Sequence, residues 1–224
     1  MKIVLRVGGS VIASPVNTEL IKKYAEIIKC LKQKENQIAV VVGGGALARE
    51  FIEIAKELGL ETKDQDELAI LVSRLYAQLL AKKLGGICCQ KIPLKIEEAV
   101  KCLSKGKIAV LGGLKPGMTT DTVAAIVADR IKADLLIKAT DQEGVYNKDP
   151  RKHPDAVKLD KLNFKDLSKV LAEDSHIAGI HQILDPEAVK VLKVKRLKVV
   201  VLNGFKPENI LTAAEGKNIG TVIE

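Results

Sequence analysis

The stretch IAVVVGGGALAR, residues Ile38 to Arg49, decides the fold of this chain. Residues Ile38 to Val42 are β-branched apart from one alanine, which predicts a strand buried on both faces. The composition is helical from Ala46 onward, so three glycines join a strand to a helix N-terminus. Glycine lets the backbone approach a ligand, and the first N–H groups of a helix attract phosphate. The stretch predicts a phosphate-binding turn, although a tight connection without a ligand has the same pattern.

Three further apolar runs end in a similar way. Ile3 to Val7 and Ile108 to Leu111 are each followed by two glycines, and Leu135 to Ala139 leads into a threonine and an aspartate. In an open parallel sheet the ligand crevice lies beyond the carboxyl ends of the strands. The four runs therefore predict one shared crevice. Helical segments alternate with them, which predicts an α/β fold with helices on both faces of a mostly parallel sheet.

The segments between these runs have their own signals. Thr18 to Leu31 has helical spacing with Thr18 as a candidate N-cap, and Asn147 to Asp160 indicates an exposed loop or hairpin. Gly86 to Ile92 is a candidate strand and Gly220 to Ile223 a candidate edge strand, whereas Phe164 to Leu171 is predicted to be helical and Asp174 to Ile183 irregular. Asp64 to Leu84 is the longest helical segment, and its predicted apolar face consists of Leu68, Leu71, Val72, Leu75, Leu79 and Leu80.

Length and composition indicate a globular protein. The chain has 224 residues, of which 47% are hydrophobic and 29% charged, and no apolar run approaches the length of a membrane span. A strand follows Met1 directly, so no signal peptide is expected and we predict a cytoplasmic protein. The net charge is +8, but aromatic residues make up only 3% and lysines alternate with acids. A solvated surface therefore fits better than a nucleic-acid partner.

The cysteines give no sign of a metal site. Cys30, Cys88, Cys89 and Cys102 have no C-x-x-C spacing, and none of the three histidines lies near them in the sequence. We therefore expect reduced cysteines in the core or at a subunit contact, and no metal bound by thiolates.

Five motifs together resemble one family. They are KIVLRVGGS, VVVGGGALAR, GGLKPGMTTDTVAA, ADLLIKATDQEGVYNKDP and LDPEAVKVL, and they occur in the order typical of the amino-acid kinase family. Residues Pro116 to Asp121 are most similar to the archaeal-type uridylate kinases. The resemblance covers essentially the whole chain. It implies one domain, a three-layer α/β/α sandwich with a central, mostly parallel sheet. The acceptor-binding lobe would span about residues 1–133 and the ATP-binding lobe about residues 134–224.

The resemblance also implies a reaction and a site. The reaction is transfer of the γ-phosphate of ATP to UMP with Mg²⁺, in a homo-oligomer that is a hexamer. The matching catalytic positions are Arg6, Asp121 and Lys138. The ATP-binding positions are Gly9, Ser10, Gly45, Arg49, Thr140, Tyr146 and Asp149. The UMP-binding positions are Gly44, Asp66, Leu114, Lys115, Pro116, Gly117, Met118, Thr119 and Thr120. Because the attacking oxygen belongs to an ionised phosphate, the chemistry needs alignment and charge neutralisation and no general base.

Several of these positions have a second interpretation. Arg6 replaces the lysine that most of the family has, so it is either catalytic or a charge turned to solvent. Met118 stands where the similar kinases usually have histidine. Asp121 orients catalytic cations or caps the following helix, and Lys138 contacts the reacting phosphate or extends to the sheet edge. Asp66 binds the ribose or only favours the helix dipole.

Other functions compete with UMP phosphorylation. One is a kinase of the same family that acts on another small phosphate, such as isopentenyl phosphate. A catalytically silent nucleotide sensor is a second alternative, suggested by Arg6 and Met118. A nucleic-acid-binding protein is a third, on net charge alone, and it would bind with a steep dependence on salt.

Overall fold

The strands follow the predicted apolar runs. The computed structural model describes residues 1–167 and 184–224. Its strands are β1 (Lys2–Val7), β2 (Gln37–Val42), β3 (Ala109–Leu111), β4 (Leu135–Thr140), β5 (Val145–Tyr146), β6 (Lys158–Leu159), β7 (Lys161–Leu162), β8 (Val199–Asn203) and β9 (Thr221–Ile223). Its helices are α1 (Gly9–Ile12), α2 (Thr18–Gln33), α3 (Gly45–Glu57), α4 (Thr62–Leu84), α5 (Ile96–Ser104), α6 (Thr120–Ile131), α7 (Pro186–Lys195) and α8 (Asn209–Ala214).

Seven strands form one sheet in the order β3-β2-β1-β4-β8-β9-β7. The five strands from β3 to β8 are mutually parallel, and only β9 runs antiparallel to its neighbour β8. The glycine-ended strands β1 and β2 are therefore adjacent, so the turns that follow them lie side by side. The prediction that Gly220 to Ile223 forms an edge strand was wrong, because β9 lies between β8 and β7.

Two hydrophobic cores cover the two faces of the sheet. In β1, Ile3 and Leu5 face the core built with α2 and α4, whereas Val4 faces the core built with α5, α6 and α7. This alternation follows from the period of two along a strand. The predicted three-layer α/β/α sandwich is confirmed. No helix in the described part of the chain is long and apolar enough to cross a membrane.

Helix α4 buries a different face from the one that the spacing of its leucines predicts. Leu71, Leu75 and Leu79 have exposed fractions of 58%, 61% and 45%, so the predicted apolar face was wrong at these positions. The buried face includes Tyr76, Ala77 and Leu80, and it packs in the core beside α2. The leucines therefore form an apolar row that this single chain leaves uncovered.

Three smaller expectations need correction or completion. The N-cap of α2 is Asn17, whose side chain accepts a hydrogen bond from Leu20 N, and not Thr18. The hairpin after Tyr146 is confirmed, because β5 pairs antiparallel with β6. The sequence also suggested a helix from residue 164 to 171 and irregular structure from 174 to 183. Residues 164–167 are helical, and the remainder lies outside the described residues.

The cysteines differ from the expectation. Cys89, in the segment between α4 and α5, forms a disulfide with Cys102 in α5. Cys30 and Cys88 are free thiols. The expectation that all four are reduced was therefore wrong. The adjacent run Gly86 to Ile92, a candidate strand by composition, contributes only the single bridge between Cys88 and Ile108.

Candidate functional site

The glycine turns after β1 and β2 pack directly against each other. A Cβ atom added at Gly9 would lie 2.0 Å from the backbone nitrogen of Gly45, and Gly45 itself has a φ of +66°. The Ser14 hydroxyl also joins the two turns, because it accepts a hydrogen bond from Ala46 N at 2.5 Å and donates one to Gly9 O at 3.2 Å. These positions need glycine because the two backbones touch. The N-terminus of α3 and its positive dipole end thus open beside the turn after β1.

A cavity of about 510 Å³ opens beyond these turns, at the carboxyl ends of β1, β2 and β4. It is lined by all the predicted ATP-binding residues, which are Gly9, Ser10, Gly45, Arg49, Thr140, Tyr146 and Asp149. The three predicted catalytic residues, Arg6, Asp121 and Lys138, line it as well. We call it the larger cavity. Its position agrees with the rule that ligands of open α/β sheets bind beyond the strand ends.

A second cavity of about 340 Å³ lies between α4 and the loop that leads into α6. We call it the smaller cavity. It shares Gly44 and Thr120 with the larger cavity, so the two are contiguous. The other predicted UMP-binding residues that line it are Asp66, Lys115, Gly117, Met118 and Thr119. Leu114 and Pro116 are not among the residues lining either cavity, and Leu114 instead packs against the core next to α6.

Arg6, Asp121 and Lys138 form a charge cluster in the larger cavity. Arg6 on β1 and Lys138 on β4 are directly paired across the two strands. Between them lies Asp121, whose Oδ1 is 2.7 Å from Arg6 Nε and whose Oδ2 accepts a hydrogen bond from Lys138 Nζ at 2.6 Å. Arg6 Nη2 also donates to Thr120 Oγ1 at 3.0 Å. The cluster therefore holds two cations and one anion at the junction of the two cavities.

The contact between Arg6 Nε and Asp121 Oδ1 is a close ion pair. Both atoms are buried and make no hydrogen bond within the described residues. The charges attract at this distance, but the N–H group of Arg6 keeps its capacity to donate. A buried donor without a well-aligned acceptor is unfavourable, and here the nearby carboxylate charge offsets part of that cost.

Burial and neighbouring charges set the protonation states in the cluster. Burial acting alone would raise the pKa of Asp121, but the Coulombic attraction of Arg6 and Lys138 outweighs it and holds the pKa below its ordinary value. Burial lowers the pKa of Lys138 to about 8, against the opposing effect of Asp121, and the positive charge of Arg6 acts in the same direction as burial. Lys138 therefore changes its charge near the physiological range.

The geometry contradicts the structural alternative for each of these three residues, and their catalytic roles stay predictions. The N-cap of α6 is Thr119, whose hydroxyl accepts from the backbone N–H groups of Asp121 and Thr122, so Asp121 does not cap this helix. Lys138 is only 2% exposed on an interior strand and does not extend to the sheet edge. The Arg6 side chain, 15% exposed, points at Asp121 and not to solvent.

Asp185 is a further residue of this region that the sequence analysis missed. Its carboxylate accepts hydrogen bonds from the hydroxyls of Thr119 at 2.6 Å and Thr122 at 2.8 Å. It also caps α7 by accepting from Ala188 N at 2.9 Å. Asp185 thus fixes the first turn of α6, which carries Asp121, against α7. The available signal was an aspartate followed by proline at a helix start, within the quoted motif LDPEAVKVL.

The far end of the larger cavity is built by the hairpin of β5 and β6. Asp149 is 6% exposed, and its Oδ1 accepts from Arg151 N at 3.0 Å. The Arg151 side chain extends to Asp141, with 3.5 Å between Nη2 and Oδ2. Tyr146 on β5 is half-buried beside them. This end combines one aromatic ring with hydrogen-bonding groups, as ligand pockets for a flat heterocycle do.

In the smaller cavity, Asp66 makes a hydrogen bond that its position near a helix N-terminus alone does not explain. Its Oδ2 accepts a hydrogen bond from Gly117 N at 2.7 Å, so the carboxylate already holds the loop before α6. Gly117 has a φ of +73°, which favours glycine at this turn. Asp66 is therefore more than a carboxylate at the helix N-terminus.

Comparison with known proteins agrees with this architecture. Residues 1–203 match the model of the family described as Amino acid kinase family. The chain is 43% identical over 226 residues to the uridylate kinase of Methanocaldococcus jannaschii, with 100% of both chains covered. It is 37% identical to the uridylate kinase of Methanobrevibacter smithii, covering 100% of this chain and 99% of the other.

Solved structures give the same result. The crystal structure of uridylate kinase from Archaeoglobus fulgidus superposes with a TM-score of 0.89 at 38% identity, covering 100% of both chains. The UMP kinase of Bacillus anthracis is similar in fold, with a TM-score of 0.82 at 21% identity over 100% of this chain and 95% of the other. On the match of residues 1–203 and the full-length similarity to these relatives, the chain belongs to the amino acid kinase family.

Proposed function

We infer that this protein is a kinase that transfers the γ-phosphate of ATP to UMP, giving ADP and UDP. The full-length similarity to archaeal uridylate kinases supports this reaction. One observation of the structure carries it: two contiguous cavities meet at a buried cluster of two cations and one carboxylate. Two phosphate compounds bound in these cavities would place their phosphates at the shared boundary.

We propose that ATP occupies the larger cavity and UMP the smaller one. The backbone of Gly9, Ser10 and Gly45 would bind the triphosphate together with Arg49, and Thr140, Tyr146 and Asp149 would hold the nucleoside of ATP. UMP would lie between Asp66 and the loop from Lys115 to Thr120, with Gly44 beside its phosphate. Thr119 would act through its position, since its hydroxyl donates to Asp185.

Phosphoryl transfer then follows from alignment. An ionised oxygen of the UMP phosphate forms a new bond to the γ-phosphorus of ATP, and the bond from that phosphorus to the bridging oxygen of ADP breaks. The electron pair of the broken bond stays on the ADP oxygen. Negative charge develops on the transferring group, and Arg6 and Lys138 would offset it at the cavity junction. Asp121 would keep the two cations at this point.

Mg²⁺ would accompany ATP in this chemistry and supply positive charge against the phosphates. Protein sites usually hold Mg²⁺ through one or two carboxylates, with phosphates and water as the other ligands. Residues 1–167 and 184–224 contain no group of three or more His, Cys, Asp or Glu that could hold a metal ion alone. The side chains of the described residues therefore fit a magnesium ion that is bound to the phosphates of ATP. We propose Asp141, with a side chain 33% exposed in the larger cavity, as its protein ligand.

We further propose that the protein works as a homo-oligomer in the cytoplasm, with a hexamer as the expected state. Supporting this, α3 and α4 pack together and expose an apolar face. The most exposed apolar residues of this helix pair are Leu71 and Leu75 on α4, at 58% and 61%, and Leu58 just after α3, at 71%. An exposed apolar patch on two adjacent helices is typical of a subunit contact. A cytoplasmic location accords with nucleotide substrates.

The proposed division into lobes follows the sheet. Residues 1–133 would form the acceptor-binding part and residues 134–224 the ATP-binding part of one domain. The boundary falls just before β4, whose residues pair with β1 in one continuous sheet. Two parts joined this way would move little relative to each other within the sheet.

The first prediction concerns the acceptor. We expect ADP release with UMP to exceed that with CMP, AMP, dTMP or isopentenyl phosphate when each is assayed at equal concentration with Mg-ATP. Clear turnover of isopentenyl phosphate with none of UMP would refute the proposed substrate. Tight nucleotide binding by calorimetry without turnover of any acceptor would instead favour the nucleotide sensor.

The second prediction concerns the charge of Lys138. Because the pKa of this buried amine is about 8, it loses its proton as the pH rises through that value, and one of the two cations disappears. We expect kcat/KM for ATP, which reports the free enzyme, to fall as the pH rises through about 8. Lys138→Arg keeps its charge, so the alkaline fall should move to higher pH. The same alkaline profile in wild type and Lys138→Arg would show that another group is responsible.

The third prediction separates the roles of Asp66. The amide oxygen of Asp66→Asn can still accept from Gly117 N, but a charge-assisted bond to a ribose hydroxyl would be weakened. We expect KM for UMP to rise about ten-fold, KM for ATP to stay nearly constant, and the preference for UMP over dUMP to shrink. Asp64→Asn, at an exposed carboxylate two residues earlier in the first turn of α4, is the matched control. Equal UMP kinetics in the two variants would remove Asp66 from the UMP site.

The fourth prediction tests the apolar face. Leu75→Glu places a charge in the centre of the exposed row on α4, so we expect a lower molecular mass in sedimentation or light-scattering measurements. Val194→Glu, at a residue 77% exposed on α7, should leave the mass unchanged. If Leu75→Glu remains in the same assembly as the wild type, this face is not the subunit contact.

A further inference from the structure

The loop that lines the smaller cavity is stabilised by few hydrogen bonds between its own residues. We call residues 113–119 the acceptor loop. Its one internal backbone hydrogen bond runs from Met118 N to Lys115 O at 3.2 Å. At its end, Thr119 is fixed by the start of α6 and by Asp185. Other hydrogen bonds to this loop come from one face of α4, where Asp66 accepts from Gly117 N and Ser73 Oγ accepts from Gly113 N at 2.7 Å.

Arg74 makes the contact that spans the start of this loop. Its Nε donates to the carbonyl oxygen of Gly113 and its Nη2 donates to that of Leu114, both at 2.9 Å. The planar guanidinium group thus binds two consecutive carbonyls of the loop. This contact requires the backbones of Gly112 and Arg74 to lie close together, because a Cβ atom at Gly112 would lie 2.6 Å from Arg74 N. The backbone of α4 and the end of β3 are therefore in direct contact at this position.

Among the described residues, the guanidinium group of Arg74 donates to the two loop carbonyls and forms no ion pair with a carboxylate. Arg74 is half-buried, so its side chain is committed to the loop and not to a surface ion pair. A fork-shaped donor restricts the orientation of both carbonyls, which a single-point donor such as lysine cannot do. Restricting the two carbonyls in this way favours ligand binding when the loop must keep one conformation to bind.

We propose that Arg74 is a positioning residue for the phosphate acceptor. It holds the acceptor loop on α4 at the place from which Lys115, Gly117 and Met118 face the smaller cavity. Arg74 does not itself line either cavity, so it acts through the loop and not by touching UMP. This inference rests on the proposed function, since it assigns the smaller cavity to UMP.

The test compares Arg74→Met, Arg74→Lys and a matched control. Methionine replaces the aliphatic part of the side chain and removes both donors, whereas lysine keeps the charge without the fork. Arg130→Met on α6 is the control, because Arg130 is exposed and pairs with the exposed Glu97 at 4.0 Å. We would measure KM for UMP, KM for ATP, kcat and hydrogen–deuterium exchange of residues 113–119.

For Arg74→Met we expect KM for UMP to rise about ten-fold, with KM for ATP changed by less than about two-fold. The amides of residues 113–119 should exchange faster than in the wild type. Arg74→Lys should lie between the wild type and Arg74→Met in both measurements, and Arg130→Met should match the wild type. A purely structural role would lower thermal stability and leave the ratio of the two KM values unchanged.

The outcomes separate this inference from the proposed function. If wild-type protein does not phosphorylate UMP, the proposed function fails, and the positioning role for UMP falls with it. If wild-type protein phosphorylates UMP but Arg74→Met keeps its KM for UMP and its exchange rates, only the role of Arg74 is refuted. If Arg74→Met does not fold, Arg74→Lys decides: a raised KM for UMP with faster loop exchange supports the role, and wild-type values for both overturn it.

Discussion

The site depends on one buried carboxylate between two cations. Asp121 is reached from one side by Arg6 on β1 and from the other by Lys138 on β4. Because these strands are parallel neighbours in register, the two positive charges would repel each other across the sheet without the aspartate. Burying such charges carries a desolvation cost that only mutual pairing offsets. The cluster retains one positive charge in excess, which suits a cavity that must accept phosphates.

The fold places this cluster through features that sequence patterns can express. The strand β1 brings Arg6 to its carboxyl end, and the glycine turns beyond it remove every side chain from the contact between Gly9 and Gly45. Asp121 comes from the first turn of α6, which Thr119 and Asp185 fix in place. Backbone N–H groups neither titrate nor change rotamer. The fixed geometry of the site therefore comes from the backbone, while its charge comes from the three side chains.

Sequence reasoning found the strands, the three layers and the residues around the larger cavity, because glycine-ended apolar runs and their order are local signals. The predictions were wrong or incomplete where contacts between distant parts of the chain determine the structure. Leu71 and Leu75 have the spacing of a buried face, and periodicity cannot tell a face in the core from an apolar face left exposed on the single chain. Asp185 lies 64 residues beyond Asp121 in the numbering of the chain, so only folding shows that it fixes α6. The pairing of Cys89 with Cys102 depends likewise on where α5 packs.

The chemistry explains why the site can do without a histidine. No histidine lines either cavity in the described residues, and the attacking oxygen of a nucleoside monophosphate is already ionised at neutral pH. Catalysis then requires two phosphates held in line and charge placed between them. Under the proposed assignment the cation cluster would serve any acceptor phosphate equally, since it lies where the two cavities meet. Discrimination between acceptors would then come from the walls of the smaller cavity, which are α4 and the loop that α4 holds.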